Sequence, residues 1–334
     1  MKKWFTFFAL SLLAVGCSQN KHSGAKSENN KLVGLAYTTW HQDTVWHNVW
    51  DKPELGFYKS DNVDVIRQHA RWIEDAGVDF IFVDWSNNVD YVPGQTKNAG
   101  IFDMIENATT LLFEEYAKME KSPKISIMAG VTGYPEAVKD GRLQRKVDQI
   151  YNQFIANTRF KPIYQTYLGK PLLMLYVNTP SPFQSGVPEW TDDRFTVRWV
   201  TGYIAQQKNL MGDDLVSKYG YWSWEDRGKQ TYTLLNGKPE AMTIVAAWRE
   251  DNGLGEPFGR GAIAAQGRKN GETFKNQWDR AREIGVNVAL VVSWNEWVLS
   301  EQPSKEISKD IEPSEVYGHL YLNLLKEEIK KFKN

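Results

Sequence analysis

Cysteine is almost absent. Cys17 is the one cysteine in 334 residues, so no intrachain disulfide framework and no thiolate metal cluster can form. Charge of one sign is also missing. A net charge of −1, with no basic cluster carrying interleaved aromatics, gives no case for nucleic acid as a partner. No G-x-S-x-G turn and no phosphate-binding G-x-x-x-x-G-K-S/T loop occurs, which removes hydrolase-elbow and nucleotide readings. The first strand signal lacks the Gly-rich turn of a doubly wound dinucleotide fold. His41 and His47 have no third His or Cys near them in sequence, so they make a poor metal site. No metal and no cofactor are expected.

What the chain has in excess is tryptophan, 14 of them. Flat indole faces pack on sugar rings, so carbohydrate is the first ligand class to consider, against the plainer reading of a Trp-rich core. The N-terminus reads as a targeting segment. Lys2-Lys3 precede an apolar run from Trp4 to Val15, and Ala14-Val15-Gly16-Cys17 ends it with small residues. This is too short to span a membrane as a mature helix. It resembles a bacterial lipoprotein signal, with residues 1–16 removed and Cys17 lipidated. Residues 17–30 then form a short polar, flexible tether. The expected location is a bacterial membrane, with the protein anchored through the lipid and facing the periplasm or the cell surface.

From residue 31 to 334, strand and helix signals alternate. Apolar runs near 33–37, 79–83, 124–130, 171–177, 195–201, 219–223, 242–247 and 286–292 predict eight strands. Helical spacing after Ser60-Asp-Asn, over 101–120, near 140–156, around Phe274–Ile284 and at the Lys-rich C-terminus predicts intervening helices. The expected fold is a single α/β domain, a (β/α)8 TIM barrel, preceded by the signal peptide and tether. A monomer is expected.

The stretch that organises the rest is Val288-Ala-Leu-Val-Val-Ser-Trp-Asn-Glu-Trp297. A buried parallel strand delivers a carboxylate and an amide between two indoles, at the end where barrel enzymes keep their active sites. Polar and aromatic residues gather after the other strands too. Tyr37, Trp40 and His41 belong to the first, Asp84 and Trp85 to the second, and Asn178 to the fourth. Trp224, Glu225 and Asp226 follow the sixth, and Trp248, Arg249, Glu250 and Asp251 the seventh. Asn295, Glu296, Trp297 and Glu301 follow the eighth. Carboxyl groups among indoles at one rim are the makings of a glycosidase. Crowded carboxyls also spread their pKa values, so one can stay protonated. The catalytic candidates are Glu296, Asp84, Glu301, Glu225 and Asp226. The substrate-binding candidates are Tyr37, Trp40, His41, Trp85, Asn178, Trp224, Trp248, Arg249, Asn295 and Trp297. Plainer roles compete: Glu225, Asp226, Glu250 and Asp251 as solvated loop charges or caps, and Asp84 as an acceptor for loop amides.

Ser293-Trp-Asn-Glu-Trp297, Glu312-Pro313 and Tyr317-Gly318-His-Leu-Tyr321 resemble the C-terminal block of glycoside hydrolase family 99 and its bacterial relatives, which include O-antigen glycosyltransferase-like proteins. Ala36-Tyr37, Trp40 and Gly77-Val-Asp-Phe-Ile-Phe-Val-Asp-Trp85 fit the same family's first two units. The resemblance implies a (β/α)8 barrel that cleaves α-mannosidic linkages with retention. It also implies that Glu296 assists through the sugar's 2-hydroxyl. The family's acid/base Glu, three positions on, is Leu299 here, which cannot transfer a proton. Glu301, Glu225, Asp226 or Asp84 are the candidates to replace it. Two alternatives to hydrolysis of an oligo- or polysaccharide follow. One is a lyase or dehydratase using a His or Tyr base and Arg249 on an acidic oligosaccharide. The other is a glycan-binding lipoprotein without turnover.

Overall fold

The structure is a computed structural model of the whole chain. It describes residues 31–334 apart from 45, 48, 94–99, 132–135, 178–189, 202–220, 225–227, 229, 231, 251–263, 298–303 and 305. The signal segment, Cys17 and the whole tether, with Asn178, Glu225, Asp226, Asp251 and Glu301, therefore lie outside the described residues.

Eight parallel strands form one curled sheet: β1 (Leu32–Tyr37), β2 (Phe80–Trp85), β3 (Lys124–Val131), β4 (Lys170–Val177), β5 (Thr196–Thr201), β6 (Tyr221–Ser223), β7 (Ala241–Val245) and β8 (Val288–Val292). Their spatial order is β7-β8-β1-β2-β3-β4-β5-β6. Read around the ring, this is sequence order, as in a barrel, with no reversal of the kind that marks a doubly wound sheet. The first and last strands of the chain meet in the ring, Leu32 opposite Val288 and Leu35 opposite Val291. Among the described residues, no backbone ladder joins β6 to β7. That seam is crossed by side chains: Trp222 Nε1 donates to Glu240 Oε2 at 3.0 Å, and Gln230 Nε2 donates to the Thr243 carbonyl at 2.7 Å.

The longer described helices are α1 (Val63–Asp75), α2 (Ile101–Tyr116), α3 (Arg142–Ile150), α4 (Glu272–Ile284) and α5 (Leu320–Lys333), following β1, β2, β3, β7 and β8. Their ends follow local chemistry. Asn62 caps α1 by accepting from the Asp64 and Val65 amides, which satisfies donors the helix cannot. Gly77 stops the same helix with φ 85°. Lys330, Lys331 and Lys333 sit at the negative end of α5.

Side chains alternate across each strand, so the sheet has two cores. Ala36, Phe80, Phe82, Met128, Met174, Val200, Trp222, Leu290 and Val292 fill the barrel interior. Tyr37, Ile81, Val83, Trp85, Ile127, Leu173, Leu175 and Val291 pack outward under the helices. This parity decides which residues at the strand ends reach the mouth.

Candidate active site

The segment after β8 is held by two buried carboxylates. Asp310 accepts from the Glu296 amide at 2.7 Å, the Trp297 amide at 2.9 Å, Trp50 Nε1 at 3.1 Å, Ser308 Oγ at 3.0 Å and the Ser293 hydroxyl. These bonds support Trp297 in a left-handed backbone conformation, φ 56°. Glu312 accepts from Tyr58 O–H at 2.8 Å, from His69 Nε2–H at 2.8 Å and from the Trp297 indole. Tyr37 O–H donates to His69 Nδ1 at 2.9 Å, which fixes the tautomer. Burial pushes the Tyr37 and Tyr58 phenols well above their ordinary range, so both remain donors.

Asn295 is locked from both sides. Its Oδ1 accepts from the Thr38 amide at 2.9 Å, and its Nδ2 donates to the Thr38 carbonyl at 3.1 Å. Its carbonyl receives His41 Nε2–H at 2.7 Å. Burial lowers the His41 pKa to about 3, so the ring is neutral and stacks on Trp46 at 4.5 Å. Arg268 clamps the returning loop, donating to the Ser308 carbonyl at 2.8 Å and to that of Asp310. Its guanidinium lies over Trp50, Tyr317 and Tyr321, 4.3–4.8 Å from the ring centres.

On this framework one group of residues faces the mouth. Lys309 Nζ lies 2.7 Å from Glu296 Oε2, with the two side chains 13% and 26% exposed. The same ammonium stands 5.9 Å from the Trp224 ring. Trp224 meets Phe82 and Tyr176 edge to face, each at 5.9 Å. Trp224, Tyr176 and Trp248 all cap the barrel-interior core. Asp84 follows Phe82 by two residues, so it points to the same side. Burial raises the Asp84 pKa, while bonds from Ser86 and the charge of Lys309 pull it partly back. Asp84 Oδ1 accepts from the Ser86 amide at 2.7 Å. Gly130 lets that turn approach β3, since a Cβ there would sit 1.4 Å from the Ser86 carbonyl oxygen. Lys309 thus pairs with Glu296 beside Trp224, and its charge also acts on Asp84.

Other residues read from the sequence as substrate contacts have no exposed face. Trp85 is fully buried on the outward side of β2, its indole donating to Thr109 Oγ1 at 3.0 Å. Trp297 is fully buried and stacks on Trp50 at 4.9 Å. Tyr37, His41 and Asn295 are enclosed in the network above. Strand parity turns Tyr37 and Trp85 outward, while His41, Asn295 and Trp297 lie beyond the strand ends and are enclosed there, so the described contacts of all five are with the protein. Trp40 is half-buried and packs against the outer core. Arg249 is half-buried beyond β7 and Glu250 is exposed. Sequence reasoning missed Lys309, Asp310, Tyr58 and Tyr176. Strand parity could have found Tyr176, two residues beyond inward-facing Met174. Nothing periodic marks Lys309 or Asp310. Among the described residues, no cluster of three His, Cys, Asp or Glu side chains is arranged to hold a metal ion.

Comparison with solved structures decides the fold. The endo-α-mannosidase of glycoside hydrolase family 99 from Bacteroides thetaiotaomicron, in complex with BIS-TRIS-propane, aligns over 90% of this chain and 97% of its own, with a TM-score of 0.59 at 17% identity. The chain has the fold of glycoside hydrolase family 99. A second structure of the family 99 enzyme from the same organism covers 91% of this chain and 97% of its own, with a TM-score of 0.59 and 15% identity. A glycoside hydrolase-like protein matches over 90% and 94%, with a TM-score of 0.54 and 16% identity. No family model matches the sequence, and no curated protein does. The likeness to family 99 is distant and carries architecture. Chemistry must be argued from the mouth.

Proposed function

We propose that this chain is a glycoside hydrolase built as a closed (β/α)8 barrel, with Asp84 and Glu296 as its working carboxyls. The observation that carries the reading is the Lys309 link: one ammonium pairs with Glu296 beside Trp224 and acts by its charge on Asp84, on a family 99 fold. The two acids sit in different surroundings, which is how a pair of carboxyls divides acid and base roles. Asp84, whose hold on its proton is strengthened by burial, donates that proton to the glycosidic oxygen. Glu296, balanced by the Lys309 charge, takes a proton from the sugar's 2-hydroxyl as that oxygen bonds to the anomeric carbon and the glycosidic bond breaks. Water then opens the 1,2-anhydro ring, giving a proton to Asp84 while Glu296 returns its own to the 2-oxygen. Asp84 thereby supplies the proton that Leu299 cannot. Trp224, Tyr176 and Trp248 offer rings against which sugars stack. The first substrates to try are α-mannosides, since the aligned enzymes are endo-α-mannosidases.

The test uses α-manno-oligosaccharides with products read by mass, where hydrolysis adds water. Glu296→Gln lowers kcat by about 10²–10⁴-fold, the range for losing a positioned acid or base. Asp84→Asn fails on natural glycans but keeps activity on aryl glycosides, whose leaving groups need no proton. Wild-type turnover by Glu296→Gln would falsify the assignment. The elimination reading loses its motivating residues, because His41 and Tyr37 are enclosed.

The anchoring through Cys17 is part of the same proposal. It rests on the Lys2-Lys3 start, the Trp4–Val15 run and the small residues before Cys17. Among the described residues no helix is long and apolar enough to cross a membrane. Cells expressing the full chain should hold it in the membrane fraction. Cys17→Ala should release it to the soluble fraction, and its remaining in the membrane fraction would count against lipidation.

A further inference from the structure

A second concavity opens beside the mouth. It is a cleft of about 290 Å³ between α4 and the segment that connects β6 to β7, walled by Trp248, Gln230, Gln266, Asn276, Gln277 and Arg280. Gln277 places it at the same end of the barrel as the active site, because Gln277 Oε1 accepts from the Val245 amide at the C-terminal end of β7, at 2.7 Å. Trp248 is common to both hollows. Its ring packs on the barrel-interior core that floors the mouth, and it also lines the cleft. That wall is fixed: the Trp248 and Gln266 backbones exchange hydrogen bonds of 3.0 and 2.9 Å, and the indole N–H donates to the Ala264 carbonyl at 3.1 Å.

The lining chemistry selects a ligand class. Four amide side chains and one guanidinium face an indole, and no carboxylate lines the cleft. The guanidinium is engaged, with Arg280 Nε donating to the Gln230 carbonyl at 3.3 Å. Amides both donate and accept, which matches hydroxyl groups that do the same. Gln277 is 5% exposed, and its Nε2 has no hydrogen-bond partner among the described residues. The volume sits at the lower edge of ligand sites, which run from about 300 Å³ upward, so it fits one sugar ring rather than an oligomer.

We propose that this cleft is an accessory subsite holding one neutral pyranose of a glycan whose scissile bond lies in the mouth, with Trp248 between the two. The inference rests on the glycosidase reading for its substrate class. Holding a remote sugar here contributes binding energy that can position the reacting bond.

The test reads binding rather than turnover. The full-length protein is titrated by calorimetry with a ladder of α-linked manno-oligosaccharides, from the disaccharide upward. Asn276 is exposed on α4, so Asn276→Trp fills the cleft without disturbing the core, and Asn276→Ala leaves it open. The wild type should gain affinity stepwise once the ligand is long enough to span both hollows, and Asn276→Ala, which loses one of the four amides but leaves the cleft open, should keep a smaller step. Asn276→Trp should lose that step, about tenfold in Kd, equal to about 1.4 kcal/mol, while binding short ligands as the wild type does. Absence of the step in the wild type, or its persistence in Asn276→Trp, overturns the subsite. A chain that hydrolyses glycans without the step keeps its activity and loses the cleft. A chain that shows the step without hydrolysis keeps the cleft and loses the glycosidase reading.

Discussion

Asp84 lies on the inward side of β2 with Lys309 close enough to act on its charge, and burial makes its ionised form costly. The consequence for stability has a definite sign. A raised folded-state pKa means that the native protein holds a proton the unfolded chain releases. Stability from this group is complete below the ordinary carboxylate range. It falls as pH rises from there through the folded-state value, and then levels off. Asp84→Asn keeps an acceptor for the Ser86 amide and removes the charge. Its Tm relative to wild type should therefore climb between about pH 4 and neutrality, measured by parallel thermal melts across pH. A constant offset at every pH would mean that Asp84 ionises in the fold as easily as in the unfolded chain. The inward placement of Asp84 was legible in the sequence, because Phe80, Phe82 and Asp84 share one parity. The same rule turns Trp85 outward, against the reading of Trp85 as a sugar platform. Lys309 was not legible, since its place depends on a loop that returns from beyond the last strand.

At the scale of elements, the chain announces itself well wherever it is periodic. Each predicted strand is present within about two residues, and the start of α1 follows its cap while the end of α5 carries its lysines. The segment from Ser308 to Gly318 is different. It has no period, and it is ordered by what it touches: Arg268 over three rings, Asp310 under the Glu296 and Trp297 amides, and Glu312 under Tyr58, His69 and Trp297. The Glu312-Pro313 motif was visible, but its place beneath Trp297 required coordinates. Glu312→Ala leaves His69 and Tyr58 buried without their acceptor. Each buried donor left without its acceptor is expected to cost about 1–3 kcal/mol. Denaturant titration measures it. Because the network carries the Glu296 segment, the surviving folded protein should also turn over more slowly. Full stability with Glu312 removed would mean that the segment is held by packing alone.

On the proposed reading the molecule separates stability from chemistry along the strand axis of the curled sheet, and the end opposite the mouth shows how. Arg198 on β5 points inward, and its guanidinium donates to Glu240 Oε1 through Nε at 2.9 Å and Nη2 at 2.6 Å. Tyr167 O–H reaches the same oxygen at 2.9 Å, and Trp222 Nε1 reaches the other at 3.0 Å. Glu240 is 1% exposed and precedes β7, so this cluster binds β5, β6 and β7 across the seam that lacks a backbone ladder. Features at the N-terminal face of such barrels serve folding, while the C-terminal face carries the reaction. Glu240→Ala would leave the Arg198 charge buried without compensation, costing about 3–5 kcal/mol. In a chain of this size that lowers Tm by on the order of 10 °C. Below the melting range, kcat/KM per folded molecule should match the wild type, because Glu240 precedes β7 and so lies at the end of the sheet opposite the strand ends that carry Asp84 and Glu296. Glu296→Gln should do the reverse, holding Tm near wild type and removing turnover. Measured side by side, the two variants ask whether the ring is closed by side chains at one end and works at the other. If Glu240→Ala slows the folded enzyme as much as Glu296→Gln does, the two ends are coupled and the seam belongs to the site.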